Sequence, residues 1–202
     1  TVDDAFTQAL LAIYQPQELY GKSIKDKRGG ENNIHSWELG IRGQTTVAEK
    51  NLLNRLLKER RKKHWAEVIG IDWMDGMPLT VQQIRTFYDS DQLEDMLQHL
   101  LDLGYLVYEH PKKKVTITNE DGRSSSERVP DETKPKGYNI VTGKLSFEFS
   151  QILDPLTATP TMVAMDMERV GVVDGAGIRR LTLNEGLALF GYPKKYSLEI
   201  YD

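Results

Sequence analysis

The spacing of apolar residues predicts helices in the first half of the chain. A first helix opens at Asp3 and must end before Pro16, because proline cannot continue a helix. A longer helix begins at Thr46, where Glu49 stands three residues later at capping-box spacing. The apolar sides of the two helices comprise Phe6, Leu10, Ile13 and Tyr14 in the first, and Leu52, Leu53, Leu56 and Leu57 in the second. The leucine side of the second helix is therefore expected to pack against a core, whereas the first helix is expected at an edge of the fragment, with an apolar face that has lost its partner.

The polar side of the second helix is strongly basic, and the basic character extends into the residues that follow. It comprises Arg55, Lys58, Arg60, Arg61, Lys62 and Lys63. Arg60 and Lys63 fall on one helical face, so this pair is the candidate for contact with DNA phosphates. A charged helical face is usually only solvated, so simple exposure to water is the alternative to phosphate contact.

Two short helices and then two strands are predicted in the middle of the chain. Thr80 caps a helix over 81–88, a second helix spans 91–103, and strands follow at 105–108 and 112–118. This order is that of a winged helix-turn-helix module. In such a module the second helix would be the one that reads DNA.

The second of these helices is nevertheless a poor DNA reader. Its outward residues are Asp91, Gln92, Glu94, Asp95, Gln98, His99 and Asp102. Four carboxylates and no base on one face would repel phosphates. We therefore expect a structural insert or a partner surface here, and place DNA contact at the tip of the wing, at Lys112, Lys113 and Lys114.

The second half of the chain is predicted to be a loop followed by strands. Residues 119–137 are polar, with three serines and two prolines, and are predicted to form a mobile loop. Lys144 lies in a turn and is a further candidate for DNA contact. Leu145, Phe147 and Phe149 then alternate with polar residues, which indicates a strand with one buried face.

A short capped helix is predicted near the end of the sequence. Thr182 and Glu185 again have capping-box spacing, Gly191 stops the helix, and Pro193 cannot continue it. Arg179 stands six residues before Glu185, so the two side chains can pair across the start of the helix and fix its orientation. Leu183, Leu187 and Phe190 form its apolar side.

These elements predict an α+β protein. It has a helical N-terminal part at 1–70, a winged-helix-like module at 71–118, the mobile loop at 119–137 and a strand-rich recognition region at 138–202. The chain is 39% hydrophobic and 28% charged, which fits a globular protein. No apolar run approaches the roughly 20 residues that span a bilayer, and no signal-peptide pattern is present.

Composition and charge narrow the possible chemistry. The chain has no cysteine, which excludes disulfides, thiolate metal sites and a cysteine nucleophile, and its four histidines have no metal-site spacing. The net charge of −4 divides into +3 for residues 1–70, −7 for 71–133 and 0 for the rest. Any nucleic-acid surface should therefore be local, and the middle segment is the least favoured place for it.

In the glycine-containing loop 21–33, Lys22, Lys27 and Arg28 either hold phosphates or are simply solvated.

The C-terminal motifs resemble those of the cytosine-5 DNA methyltransferases. Arg179-x-Leu181-Thr182-x-x-Glu185, followed by Phe190-Gly191-Tyr192-Pro193 and Tyr196, is similar to the ninth conserved motif of that family. Upstream, residues 158–164 resemble the Thr-Leu segment of the family's target-recognition region, with Met162 in place of the usual residue after Thr161. Residues 172–175 fit the strand and turn between the two motifs. The resemblance covers about residues 155–196.

The resemblance implies a part of an enzyme. The family's Pro-Cys nucleophile, glycine-rich cofactor loop and Glu-Asn-Val motif have no counterpart here, and Asp202 precedes the place of the last motif. We interpret the chain as a target-recognition fragment with no catalytic, cofactor-binding or metal-binding residue of its own. The implied partners are double-stranded DNA and a catalytic domain, in the same chain or a partner subunit, that uses S-adenosylmethionine. The implied location is the cytoplasm of a bacterium or archaeon.

The resemblance also implies roles for individual residues. Thr161 would lie near the backbone of the flipped nucleotide, although a strand threonine paired across a sheet is the plainer alternative. Arg179, Thr182, Glu185, Gly191 and Pro193 would organise the recognition region. A second hypothesis is a free-standing winged-helix DNA-binding regulator or protein-interaction module. The first hypothesis predicts an open apolar surface for the missing domain, and the second predicts a self-contained fold.

Overall fold

A computed structural model of the chain describes residues 5–26, 32–118, 124–142, 149–193 and 196. Within this part, the α-helices are α1 (Ala5–Ile13), α2 (Val47–Glu59), α3 (Lys63–Ile69), α4 (Val81–Arg85), α5 (Leu93–Asp102) and α6 (Leu183–Leu189). The strands are β1 (Ser23–Ile24), β2 (Asn33–Ile34), β3 (Leu106–Glu109), β4 (Lys112–Thr118), β5 (Ser124–Pro130), β6 (Gly137–Ile140), β7 (Gln151–Ile152), β8 (Val170–Asp174) and β9 (Gly177–Arg180). Short 3-10 helices cover Pro16–Leu19 and Ala164–Arg169.

These elements form two compact units. Unit 1 takes its described residues from 1–25, 31–35 and 145–202, and unit 2 takes them from 26–30 and 36–144. Unit 1 is thus assembled from both ends of the sequence around the insertion of unit 2. The predicted boundaries at residues 70, 118 and 137 do not coincide with this division.

Unit 1 is built on a mixed five-stranded sheet in the order β2-β1-β7-β8-β9. The pairs β1–β2 and β7–β8 are parallel, whereas β1–β7 and β8–β9 are antiparallel. Its core comprises Leu10, Leu19, Ile24, Ile34, Phe149, Ile152, Val170 and Ile178, all at most 3% exposed. The predicted loop 21–33 is therefore partly replaced by the short strands β1 and β2, which attach the N-terminal part to this sheet.

The core of unit 2 forms around α2, whose predicted cap is confirmed. The Thr46 hydroxyl accepts a hydrogen bond from the Glu49 backbone N–H at 3.2 Å, and the Glu49 carboxylate accepts one from the Thr46 N–H at 2.7 Å. The leucine stripe of α2 is at most 1% exposed, as predicted. It packs with Trp37, Leu97, Tyr105 and Ile140 in one cluster. Burial of each such side chain contributes roughly 1.5–3 kcal/mol.

Unit 2 contains two pairs of strands beside α4 and α5. Strand β6 pairs with β3 in antiparallel register, and Leu79, just before α4, bridges to Tyr138 of β6. The approach is so close that a Cβ on Gly137 would lie 2.6 Å from the Leu79 carbonyl carbon. Strands β4 and β5 form a separate antiparallel hairpin from the Lys112–Pro130 pair to the Thr118–Ser124 pair.

The hairpin corrects two sequence-based predictions. The mobile loop predicted over 119–137 is wrong for residues 124–130, because β5 pairs along its whole length with β4. The lysines assigned to the tip of the wing lie at the opposite end: Lys112 pairs with Pro130 at the base of the hairpin. The sequence also predicts one long strand from Tyr138 to Phe149, of which β6 forms the first part and ends at Ile140. Residues 143–148, with Lys144, Leu145 and Phe147, lie outside the described residues.

Candidate functional site

The start of α6 in unit 1 is fixed by the predicted capping box. The Thr182 hydroxyl accepts a hydrogen bond from the Glu185 backbone N–H at 3.3 Å. In return, the Glu185 carboxylate accepts one from the Thr182 N–H at 2.8 Å. A cap of this kind stabilises a helix by about 1 kcal/mol. The helix stops before Gly191, whose φ of +81° lies in the left-handed region, and Pro193 follows.

Arg179 ties this helix to the β8–β9 hairpin. Its guanidinium donates two hydrogen bonds to Glu185, both of 2.8 Å, and a third of 2.7 Å to Asp174 at the end of β8. The Arg179 hydrogen bonds, followed by those from Thr182, lower the pKa of Glu185 to about 2. The same two carboxylates raise the pKa of Arg179. The predicted pairing of Arg179 with Glu185 is confirmed, and it orients α6 on the sheet.

Asp174 is the member of this cluster that the sequence analysis missed as a functional partner. It was assigned only to a strand and turn, because neither its spacing from Arg179 nor the local pattern distinguishes it from an ordinary turn aspartate. The register of β8 against β9, with Asp174 opposite Gly177, brings its carboxylate to the guanidinium. The two-residue turn between Asp174 and Gly177 sets this register, so the turn already expected at 172–175 is the local signal that could have indicated the contact.

Helix α6 and the turn after it expose apolar side chains. The exposed fractions are 44% for Leu183, 40% for Leu189, 41% for Phe190 and 47% for Tyr192. The rings of Tyr192 and Tyr196 lie 4.6 Å apart. We call these five residues the α6 apolar surface. Clustered apolar exposure of this kind marks surfaces that contact another protein part or a ligand.

A cavity of about 410 Å³ lies in unit 1 between α6, β8 and the segment after β7. Its walls include Leu153, Val172 and Leu189, with Asp154, Thr157 and Thr159 among the polar groups. Thr161 lies two residues beyond this wall, exposed and outside any strand. The alternative of a strand threonine is therefore wrong for Thr161, and its hydroxyl is accessible to a ligand.

Arg60 of unit 2 does not belong to a DNA surface. It is 1% exposed, and its guanidinium donates hydrogen bonds to the Asn139 side-chain oxygen at 2.5 Å and to the Ile140 carbonyl at 3.2 Å. Burial lowers the pKa of Arg60 to about 10. The predicted role in phosphate contact is wrong, because the side chain points into the protein and holds β6.

The basic run after α2 is also not one helical face. Helix α2 ends at Glu59, and α3 begins only at Lys63, after Lys62 as its N-cap. Lys62 pairs with Glu59 at 2.8 Å, and Arg61 pairs with Asp75. Lys63 is exposed, as a phosphate contact requires, but it shares no face with Arg60.

The remaining candidate residues are distributed over both units. Lys112 is half-buried in β4, and the exposed Lys113 lies 3.4 Å from the Asp131 carboxylate. Lys22, in unit 1, is half-buried, and its carbonyl accepts a hydrogen bond from the Ile152 N–H. Lys27 and Arg28 lie outside the described residues, as does Lys144. No group of three or more metal-binding side chains is found in the part of the chain that the structure describes.

Comparison with known proteins identifies relatives that this chain resembles. The chain is 58% identical over 200 residues to the type II methyltransferase M.NlaIV of Neisseria lactamica and 56% identical to M.NgoBV of Neisseria gonorrhoeae. Each alignment covers 99% of this chain and 45% of the relative. The chain is similar along almost its whole length to part of a type II methyltransferase. A more distant relative, M.HgiCI of Herpetosiphon aurantiacus, is 36% identical over 98% of the chain and 40% of its own length.

The chain thus spans less than half the length of the curated relatives that it matches. No family model and no solved structure matches it. The relatives confirm the methyltransferase part of the expected resemblance, whereas the cytosine-5 class is a proposal. Within the described residues, no helix is both long and apolar enough to cross a membrane.

Proposed function

We propose that the chain is the target-recognition part of a DNA (cytosine-5-)-methyltransferase of a restriction-modification system. The observation that carries this proposal is the 58% identity over 99% of the chain to 45% of a type II methyltransferase. A segment that matches less than half of such an enzyme fits one functional part of it. The match of Arg179, Thr182 and Glu185 to the ninth motif favours the cytosine-5 class and the recognition part.

The structure of unit 1 supports the proposal that recognition and catalysis belong to separate parts of the enzyme. Arg179 joins α6 to the β8–β9 hairpin through Glu185 and Asp174, which sets the orientation of the helix. The helix and the turn after it carry the α6 apolar surface, as expected if a catalytic part covers it in the whole protein. In the proposal, that part supplies the cysteine nucleophile and the S-adenosylmethionine pocket, and it lies in the same chain or in a partner subunit.

The chain would contribute the positioning of duplex DNA while the target cytosine is turned out of the helix. Contacts to phosphates hold the duplex in register, and contacts to base edges select the sequence. The exposed Thr161, beside the cavity of unit 1, is the proposed contact to the backbone near the flipped nucleotide. Lys63, Lys112 and Lys113 of unit 2 are accessible to phosphates, whereas Arg60 is not.

We further propose that unit 2 is a winged-helix-like module. The order of α2, the Leu79 bridge, α4, α5, β3, the β4–β5 hairpin and β6 supports this reading. Helix α5 exposes Glu94, Asp95 and Asp102, so the module does not use this helix to read DNA. The alternative function, a free-standing winged-helix regulator, accounts less well for the α6 apolar surface.

Bisulfite sequencing of plasmid DNA from cells that express the full-length protein containing this chain tests the proposal. The expected result is protected cytosine at one short recurring sequence, with 5-methylcytosine as the modified nucleoside in mass spectrometry of the digested plasmid. An Arg179→Ala variant should lose most of the methylation, whereas Arg55→Ala, on the exposed side of α2, should keep it. Methylation of adenine, or of cytosine at N4, would contradict the cytosine-5 class and leave only the general methyltransferase relationship.

A further inference from the structure

The β4–β5 hairpin of unit 2 separates its side chains into two different faces. Residues directly opposite each other in an antiparallel pair share a face, and successive residues alternate between faces. One face therefore carries the pairs Lys112–Pro130, Lys114–Arg128 and Thr116–Ser126. We call it the basic face. The other carries Lys113–Val129, Val115–Glu127 and Ile117–Ser125. All the hydroxyls and cations of the basic face can donate hydrogen bonds, and none of these residues is acidic.

The basic face holds like charges against each other. Lys114 and Arg128 are directly opposite and both exposed, an arrangement that destabilises a strand pair unless an anion lies between them. Within the described residues, neither nearby carboxylate pairs with Lys114 or Arg128. Glu127 belongs to the opposite face, and Asp131 accepts hydrogen bonds from Thr133 and Lys113. Within the described residues, neither Lys112 nor Lys114 forms an ion pair.

Trp73 extends the basic face beyond the hairpin. Its carbonyl accepts a hydrogen bond of 2.9 Å from the Arg128 guanidinium, and its indole N–H donates one of 2.9 Å to the Arg61 carbonyl. The indole is 43% exposed, whereas Trp37 and Trp65 are at most 6% exposed. Because its carbonyl and its indole N–H are both hydrogen-bonded, the Trp73 ring forms a fixed apolar surface next to positive charge. Such a surface suits a chain of sugars and phosphates.

We propose that the basic face, together with Trp73, binds the sugar-phosphate backbone of duplex DNA. Lys112 and Lys114 are two residues apart, about 6.8 Å along the strand, and one DNA strand presents a phosphate about every 3.4 Å of helix axis. The serine and threonine hydroxyls add neutral donors along the same line, and Trp73 packs against sugars. The inference rests on the proposed function, because it assigns part of the DNA contact of the recognition segment to this surface.

Reversing the charge of Lys114 tests DNA binding without disrupting the hairpin. In Lys114→Glu the new carboxylate faces Arg128, so the cross-strand pair becomes favourable and the hairpin is kept. Both cations are then lost to phosphates. In the full-length protein, the affinity for a random-sequence duplex should fall at least tenfold at low salt, and the salt slope should decrease by about 2. Lys58→Glu makes the same charge change on the exposed side of α2 and is the matched control. It should lower affinity far less and leave the slope nearly unchanged.

Tryptophan fluorescence gives an independent readout of the same surface. In the 202-residue chain, Trp37 and Trp65 are buried, so acrylamide should quench mainly Trp73. Bound duplex should protect it, and the protectable signal should disappear in Trp73→Phe. An unchanged salt slope in Lys114→Glu, or quenching unaffected by bound DNA, would overturn the assignment of this surface.

The two proposals fail in different ways. If the full-length protein forms 5-methylcytosine but Lys114→Glu binds DNA with the wild-type salt slope, the function stands and the surface is wrong. If Lys114→Glu loses affinity as expected but no 5-methylcytosine forms, the surface stands and the cytosine-5 function is wrong.

Discussion

Arg60 is a buried charged residue that connects two elements of unit 2. Its guanidinium is enclosed, and it joins Asn139 and Ile140 of β6 to the end of α2. The same Asn139 side chain donates to the Glu109 carboxylate at 2.7 Å, which connects β6 to β3. A buried charge is costly unless it is hydrogen-bonded. The two bonds from Nη1 offset part of that cost, whereas Nε has no partner among the described residues.

We predict that Arg60→Ala destabilises unit 2 by about 2–4 kcal/mol, because it leaves a cavity and removes the donors to two buried acceptors. Urea unfolding followed by circular dichroism measures the change. Lys63→Ala, three residues later and exposed, should change stability by less than about 0.5 kcal/mol. Equal effects of the two substitutions would mean that Arg60 is not held in the core.

Sequence reasoning succeeded at residues with local partners and failed at Arg60. Glu185 lies three residues from Thr182 and six from Arg179, so spacing alone predicts these two contacts. The partners of Arg60 lie 79 and 80 residues away. Nothing in the run from Arg60 to Lys63 distinguishes the arginine that turns inward from the lysine that stays in water.

At the scale of elements, helix α6 depends on an ionised carboxylate. Hydrogen bonds from Arg179 and Thr182 lower the pKa of Glu185 to about 2 from the ordinary 4.5. Because the folded-state pKa is the lower one, the stabilisation is complete above pH 4.5 and is lost as the pH falls towards 2. The cap and the ion pair therefore weaken together in acid.

We predict that Glu185→Gln lowers the Tm of unit 1 at pH 6 and that the difference from wild type shrinks between pH 4.5 and pH 2. Thermal unfolding at a series of pH values gives the result. Glu168→Gln, which changes an exposed carboxylate of the same unit, is the control. A difference that stays constant down to pH 2 would show that the Arg179–Glu185 pair does not stabilise the fold.

Strand β6 requires glycine, which has no side chain, at its first residue. Gly137 lies against the Leu79 backbone, and the two hydrogen bonds between Leu79 and Tyr138, of 3.0 and 2.8 Å, require that approach. Backbone atoms cannot yield as a side chain would. Glycine at this position thus lets the segment before α4 join β6.

We predict that Gly137→Ala destabilises unit 2 by about 1–3 kcal/mol and speeds hydrogen exchange at the amides of Leu79 and Tyr138. Gly104→Ala is the control, since its cost of about 1 kcal/mol comes from a positive φ, with only the Arg42 guanidinium near the new Cβ. It should leave the exchange of Leu79 and Tyr138 unchanged. Equal exchange in the two variants would exclude the close approach.

The elements that the sequence predicted well are those with caps or strong periodicity. Thr46, Thr80 and Thr182 each begin a helix where the spacing placed it. Strand β5 was missed because three consecutive serines have little preference for strands, and pairing with β4 overrode that weak preference. Strands β1 and β2 were missed because two residues are too few to show alternation.

At the scale of the whole molecule, neither the two units nor the local surfaces follow from averages along the chain. Residues 71–133 carry a net charge of −7, yet the basic face of the hairpin lies within them. Acidic residues are concentrated on α5 and basic residues on one face of the β4–β5 hairpin. Helical periodicity and strand alternation determine which way each of these side chains points. Unit 1 joins residues from both ends of the chain, a long-range pairing that no sequence window contains.

The last prediction concerns the α6 apolar surface, which the proposed function expects to be covered in the whole protein. Phe190 is 41% exposed in this chain, so Phe190→Ser should hardly change the Tm of the 202-residue chain. In the full-length protein, the same change should lower the Tm and reduce methylation, because an aromatic contact between the two parts is lost.

Val68→Ser is the matched control for this prediction. Val68 is 62% exposed on α3 of unit 2, and its substitution should be neutral in both proteins. Hydrogen exchange of α6 should also be slower in the full-length protein than in the chain alone, since covering a surface opposes local opening. If Phe190→Ser has the same small effect in both proteins, no catalytic part rests on α6, and the free-standing regulator becomes the better account of this chain.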